Sequence, residues 1–186
     1  MFTINVPNVL TLIRILLVPV LVVALLDQTS DGDVFAAVVF ALASFTDAID
    51  GYIARSRNAI TTFGKLMDPV ADKLLIVAAL FSLVSLDRLP AWIAMVIVAR
   101  EFAVTMTRMA AAPTGVVIAS NWWGKTKTIV QVATIFLLIA FDTSPLWLDL
   151  LTYAMVAITV ISGVDYFFGL RRLLREAEDR RVRALT

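Results

Sequence analysis

The sequence predicts an all-α, polytopic membrane protein with six transmembrane helices and both termini in the cytoplasm. Three observations predict it. Of 186 residues, 60% are hydrophobic, with a mean hydropathy of +0.89, whereas a soluble domain holds roughly 45–50% apolar residues. The apolar residues fall in blocks of about 20, the length of helix that crosses a bilayer's hydrocarbon core, and not in one-sided stripes. No ten-residue alternation of apolar and polar positions, the mark of a membrane barrel strand, occurs.

The first apolar block, 8–26, begins with "MFTINVPN" and has its first positive charge at Arg14. Without a basic start or a small-residue cleavage site, it reads as a retained helix and not as a removed signal peptide. "DQTSDGD" (27–33) then turns the chain into a second block, 34–54, and a third follows at 66–86. "DRLP" (87–90) leads into the fourth, 90–110, and "APTG" (112–115) precedes the fifth, 126–141. "DTSP" (142–145) opens the sixth, 147–169. Each break carries the Asp, Ser, Gly or Pro that turns require. One membrane domain, 1–174, and a basic cytoplasmic tail, 175–186, account for the chain, without internal repeats.

Lysine and arginine set the orientation. With the N-terminus inside, the outer loops 27–33, 87–90 and 142–146 carry a single basic residue, Arg88. Arg55, Arg57, Lys65, Arg108, Lys125, Lys127 and "RRLLREAEDRRVR" from Arg171 fall inside, as the positive-inside rule requires. The tail reads as a solvated helix end touching anionic headgroups, in preference to a specific lipid sensor.

The net charge is only +1, and the chain has neither cysteine nor histidine. Disulfides, thiolate nucleophiles and imidazole bases are excluded. A general base must be Asp, Glu, Lys or Tyr, and a metal site must use oxygen ligands.

Against this background, "DAIDGYIARSRNAITTFGKLMDPVAD" (47–72) places four aspartates beside apolar spans. Asp47 and Asp50 are three apart and Asp68 and Asp72 four apart, so on helices each pair shares a face. Antiparallel neighbours would gather all four at the inner surface. One ionised Asp at mid-membrane costs about 2.5–3.5 kcal/mol on an insertion scale, so four require bound protons or cations. Hard oxygen donors favour Mg²⁺, Mn²⁺ or Ca²⁺. Gly51, Ala54 and Gly64 leave room for a ligand against the backbone, although Gly64 alone reads as a turn residue. Arg55 and Lys65 stand ready for phosphates, although either alone reads as a snorkelling base. Acids, small residues and bases together suit metal-assisted phosphoryl transfer.

The spacing Asp47-x2-Asp50-Gly51-x2-Ala54-Arg55-x8-Gly64-x3-Asp68-x3-Asp72 resembles the signature of the CDP-alcohol phosphotransferase family. The resemblance implies a six-helix membrane enzyme that uses two divalent cations, Mg²⁺ or Mn²⁺. It implies transfer of a phosphatidyl group from a CDP-linked lipid to an alcohol, releasing CMP. By position, Asp47, Asp50, Asp68 and Asp72 would ligate metal, with Asp72 also the catalytic base. Asp47, Asp50, Gly51, Ala54, Arg55 and Gly64 would line the CDP site. A homodimer is implied as well.

"NVPNVLTLIRILLVPV" (5–20) and "AREFAVTMTRMAAAPTGVVIASNWWGKTKTIVQ" (99–131) are similar to the bacterial branch that joins CDP-diacylglycerol to sn-glycerol 3-phosphate. That branch implies an inner-membrane enzyme of phosphatidylglycerol synthesis, its site facing the cytoplasm and no nucleic acid among its partners. Arg100, Arg108, Lys125 and Lys127 are the candidates for the acceptor's phosphate. The alternative for Lys125 and Lys127 is snorkelling; for Glu101 and Arg108 it is a structural ion pair. Asn8 and Arg14 read as donor contacts or as interfacial anchors, Trp122 and Trp123 as an interfacial belt. Competing functions are the same chemistry with inositol phosphate, serine or phosphatidylglycerol, and a divalent-cation transporter.

Overall fold

The computed structural model describes residues 6–57, 62–111, 122–143 and 145–183. Within these helices, the side chains of 6–8, 30, 47–57, 62–69, 72, 110–111, 123, 170 and 172–183 fall outside the described residues. The chain forms α1 (Val6–Leu26), α2 (Ser30–Arg57), α3 (Thr62–Ser85), α4 (Ala91–Ala111), α5 (Trp122–Ala140) and α6 (Leu146–Arg183). Among the described residues there is no strand. The six expected helices are present. α6 continues well past the apolar block that ends at 169, because the Arg-, Leu-, Glu- and Ala-rich segment after it consists of strong helix formers.

Capping chemistry explains the turns. Thr29 caps α2, its Oγ1 accepting the Gly32 N–H at 3.0 Å, while the Asp33 N–H donates to the Thr29 carbonyl at 2.9 Å. A Cβ on Gly32 would stand 2.8 Å from the Ala24 carbonyl, so glycine lets α2 start hard against the end of α1. Asp87 adopts a left-handed φ of 57° at the end of α3. There the Arg88 N–H donates to the Leu83 carbonyl at 2.9 Å and the Asp87 N–H to Val84 at 3.1 Å, a Schellman cap. This cap aims Arg88 inward. Its guanidinium meets Asp33 at 2.7 Å, Asp142 at 2.9 Å and the Ile139 carbonyl at 3.3 Å.

That contact has a topological consequence. The α1–α2, α3–α4 and α5–α6 connections all meet at one end of the bundle, so the helices run alternately up and down. Asp47, Asp50, Asp68 and Asp72 therefore belong to the half of α2 and α3 remote from Arg88.

α1 packs against α2 and α3, α5 against α6 and α2, and α4 against α6 and α3. The core holds Leu21, Leu25, Phe40, Leu80, Leu83, Ile97, Ile135 and Ile139, all fully buried. Polar side chains share this interior: Thr11, Arg14, Lys127, Gln131, Thr134, Thr152 and Thr159 are buried. Thr134 and Thr152 satisfy their hydroxyls by donating to the carbonyls four residues back, at 2.7 and 2.9 Å. The exterior is apolar, with Leu16, Val23, Phe45, Phe81, Met95, Ile129 and Phe168 exposed. Val9–Leu26 and Leu146–Gly169 are long and apolar enough to cross a bilayer, and Lys73–Ser85 is a shorter apolar stretch.

Candidate active site

The acidic signature divides between two helices in mutual contact. Asp47, Asp50, Gly51, Ala54 and Arg55 belong to the second half of α2, and Gly64, Asp68 and Asp72 to the first half of α3. Both aspartate pairs are thus helical, at the i, i+3 and i, i+4 spacings that share a face. The side chains of all eight lie outside the described residues. Among the described residues, no group of three or more Asp, Glu, His or Cys side chains gathers.

A second polar centre lies where α3, α4, α5 and α6 meet, and Glu101 of α4 is its hub. Lys127 of α5 pairs with Glu101 Oε1, Lys73 of α3 stands 3.8 Å from Oε2, and the Arg100 guanidinium is 3.5 Å from Oε1. The Lys127 side chain is only 4% exposed. Its ammonium therefore does not snorkel to an interface, and that alternative falls. Arg100 extends the cluster to α6, donating to Ser162 Oγ at 3.1 Å. The buried Gly163 makes room for it, since a Cβ there would approach Arg100 Cγ to 3.3 Å.

Arg108 lies two turns beyond Glu101, with its guanidinium 5.6 Å from the Tyr166 ring centroid, within the range of a cation–π contact. The ion pair between Glu101 and Arg108, one of the two expectations for these residues, is not formed. Seven helical residues separate the two by about 10 Å along the axis, and cations on the neighbouring helices are nearer. Lys125 is exposed, and no described contact joins it to the cluster. The structure thus brings Arg100 and Lys127 together, sets Arg108 at the α4–α6 seam, and leaves Lys125 at the surface.

Arg14 is 1% exposed, which removes its reading as an interfacial anchor. Trp122 is exposed at the start of α5, as a belt residue would be. Asn8 and Trp123 have side chains outside the described residues.

Sequence reasoning missed Lys73, Ser162 and Tyr166. Lys73 directly follows Asp72, and Ser162 with Gly163 forms a small pair of the kind that lets membrane helices approach closely. Tyr166 falls one turn after Ser162. Those signals were present, but partner helices were needed to read them. Buried polar atoms without a hydrogen-bond partner among the described residues include Arg100 Nε, Glu101 Oε1 and the Tyr166 hydroxyl. Of these, Arg100 Nε can only donate, so it suits an oxyanion acceptor.

The CDP-alcohol phosphatidyltransferase domain pattern matches residues 4–164. The chain belongs to this family. It is 42% identical over 180 residues to the CDP-diacylglycerol–glycerol-3-phosphate 3-phosphatidyltransferase of Bacillus subtilis, covering 88% of this chain and 93% of that protein. It is 42% identical to a probable phosphatidylglycerophosphate synthase of Mycobacterium tuberculosis, over 87% of this chain and 79% of that protein. A Rickettsia felis protein with the same name as the Bacillus enzyme is 36% identical, over 88% of this chain and 93% of its own length.

In a CDP-alcohol phosphatidyltransferase, the signature on α2 and α3 gains a chemical context. Its donor set of four carboxylates, in a chain without thiol or imidazole donors, fits hard divalent cations.

Proposed function

We propose that this chain transfers the phosphatidyl group of CDP-diacylglycerol to sn-glycerol 3-phosphate, giving phosphatidylglycerophosphate and CMP. The observation that carries the proposal is the full acidic signature on two touching helices, in a chain alignable almost end to end with relatives bearing that enzyme name. Arg100 and Lys127, gathered on Glu101, favour a phosphorylated acceptor over a neutral alcohol.

Asp47, Asp50, Asp68 and Asp72 would hold two Mg²⁺ or Mn²⁺ ions. Bound there, the ions would stabilise charge on the attacking and leaving oxygens and acidify the acceptor hydroxyl. Asp72 takes the proton of the acceptor's C1 hydroxyl, the only side-chain chemistry available for a base in a signature without histidine. That oxygen forms a bond to the β-phosphorus of the donor, and the bond from that phosphorus to the CMP oxygen breaks. Gly51, Ala54 and Gly64 leave space for the cytidine diphosphate, and Arg55 is placed for its phosphates. Arg100 and Lys127 orient the acceptor's phosphate, with Arg108 two turns farther along α4.

The setting is a bilayer. The exposed Leu, Val, Phe and Met of the exterior, with Arg14 and Lys127 held inside the bundle, suit lipid surroundings. A multi-pass inner-membrane enzyme fits this, and the basic residues at the signature's end of the bundle support a site on the cytoplasmic side. CDP-diacylglycerol then enters laterally and glycerol 3-phosphate from the cytosol.

A panel of radiolabelled alcohols, supplied to the reconstituted protein with CDP-diacylglycerol and Mg²⁺, tests the assignment. Glycerol 3-phosphate is expected to enter lipid with release of CMP. Incorporation of serine, inositol phosphate or phosphatidylglycerol in its place would redirect the proposal. Divalent-cation flux into sealed vesicles, with no CMP formed, would replace it by a transporter.

A further inference from the structure

We propose that Glu101 is a positioning residue for the acceptor's phosphate, holding the Lys127 ammonium between α4 and α5 with its remaining N–H donors free for a phosphomonoester. The inference deepens the transferase reading above and rests on it.

Lys127 is nearly inaccessible, at 4% side-chain exposure, and Glu101 at 15% is close to it in burial. A buried ammonium carries three donors in water-poor surroundings, and the Glu101 carboxylate is its ion-pair partner. Arg100, one residue before Glu101, points across to Ser162 of α6, and its buried Nε has no partner among the described residues. Adjacent residues of α4 thus face two seams, one toward α5 and one toward α6. Donor groups of Lys127 and Arg100 both lie beside Glu101 Oε1.

Charge points the same way. Arg100 and Lys127 both approach the Glu101 carboxylate, so among these three side chains positive charge exceeds negative. Burying a surplus charge is costly unless a counter-charge joins it. A phosphomonoester, carrying close to two negative charges near neutral pH, supplies that counter-charge and has oxygens for both donors. Glu101 reduces the surplus without abolishing it, and fixes where the lysine stands. Its reach to Lys73, the neighbour of Asp72 on α3, also couples the acceptor clamp to the helix of the proposed base.

The test is steady-state kinetics of the full chain in phospholipid vesicles, varying glycerol 3-phosphate and CDP-diacylglycerol separately. Glu101→Gln is expected to raise KM for glycerol 3-phosphate about tenfold, while KM for CDP-diacylglycerol changes less than about twofold. Glu101→Asp, which keeps the charge, is expected to recover most of that loss. The double variant Glu101→Gln/Lys127→Gln removes the ion pair as a unit and leaves the net charge of the cluster unchanged, and its unfolding temperature checks that it folds. Its KM for glycerol 3-phosphate is expected to stay raised. An unchanged or lowered KM in Glu101→Gln, or a return to the wild-type KM in the double variant, would reduce Glu101 to a structural partner and overturn the inference. Wild-type protein that forms no lipid from glycerol 3-phosphate would instead remove the transferase reading, and this inference with it.

Discussion

Arg88 and Asp33, 55 positions apart in the chain, close a two-pronged ion pair with NH1–Oδ1 at 3.0 Å and NH2–Oδ2 at 2.7 Å. Both side chains are buried, at 9% and 8% exposure, whereas Asp142 on the same guanidinium is 81% exposed. Removing one partner of a buried pair leaves an uncompensated charge. Arg88→Leu is therefore expected to cost about 3–5 kcal/mol of stability. Asp142→Ala should cost no more than about 1 kcal/mol, the ordinary worth of an exposed pair. Thermal unfolding in detergent compares the two, and equal losses would mean that Arg88 does not tie the loops through Asp33.

Gly32 tests the packing of the same end. A methyl group there would press on the Ala24 carbonyl at 2.8 Å and on Thr29 Oγ1 at 2.9 Å, and the first of these contacts is backbone. Gly32→Ala is expected to destabilise by about 1–3 kcal/mol, as overpacking does. Turnover per folded molecule should be unchanged, because the substitution lies far from the signature.

Lys125 and Lys127 share the motif "GKTK" but not a setting. Lys127 is buried on Glu101, and Lys125 is exposed. Lys127→Met should raise KM for glycerol 3-phosphate about tenfold, and Lys125→Met should move it less than about twofold. Similar effects from both would place the acceptor's phosphate nearer the surface than the Glu101 cluster.

Asp72→Asn keeps size and helical context while removing the proposed base. It should lower kcat by at least about a hundredfold, the usual scale of general-base catalysis. Membrane insertion and unfolding temperature should be retained. Near-normal turnover at saturating Mg²⁺ would assign the proton to another group.

The helices were legible because apolar blocks and turn residues are local signals. The breaks at 27–33, 87–90 and 142–145 became the three connections that meet at Arg88. Helix ends were less legible where hydropathy and helix propensity part company: α6 runs to Arg183 because its charged segment still favours helix. Placement of the acidic signature on α2 and α3 followed from spacing alone. The partners of Glu101 did not. Its neighbours Lys73 and Lys127 come from other helices, and the order and rotation of packed helices decide which side chains meet. Arg14 misled for a related reason: an arginine in an apolar block snorkels when it faces lipid, but here it faces the bundle interior.

Metal-assisted transfer at this site requires the aspartates of α2 and α3 to form one two-cation site. Titration of the purified chain with Mn²⁺, followed by electron paramagnetic resonance, asks this most directly. Two bound ions per chain are expected, magnetically coupled as ions about 3.5–4 Å apart would be, with the coupling lost in Asp50→Asn and in Asp68→Asn. Saturable Mn²⁺ binding that survives both substitutions, or no saturable binding at all, would contradict it.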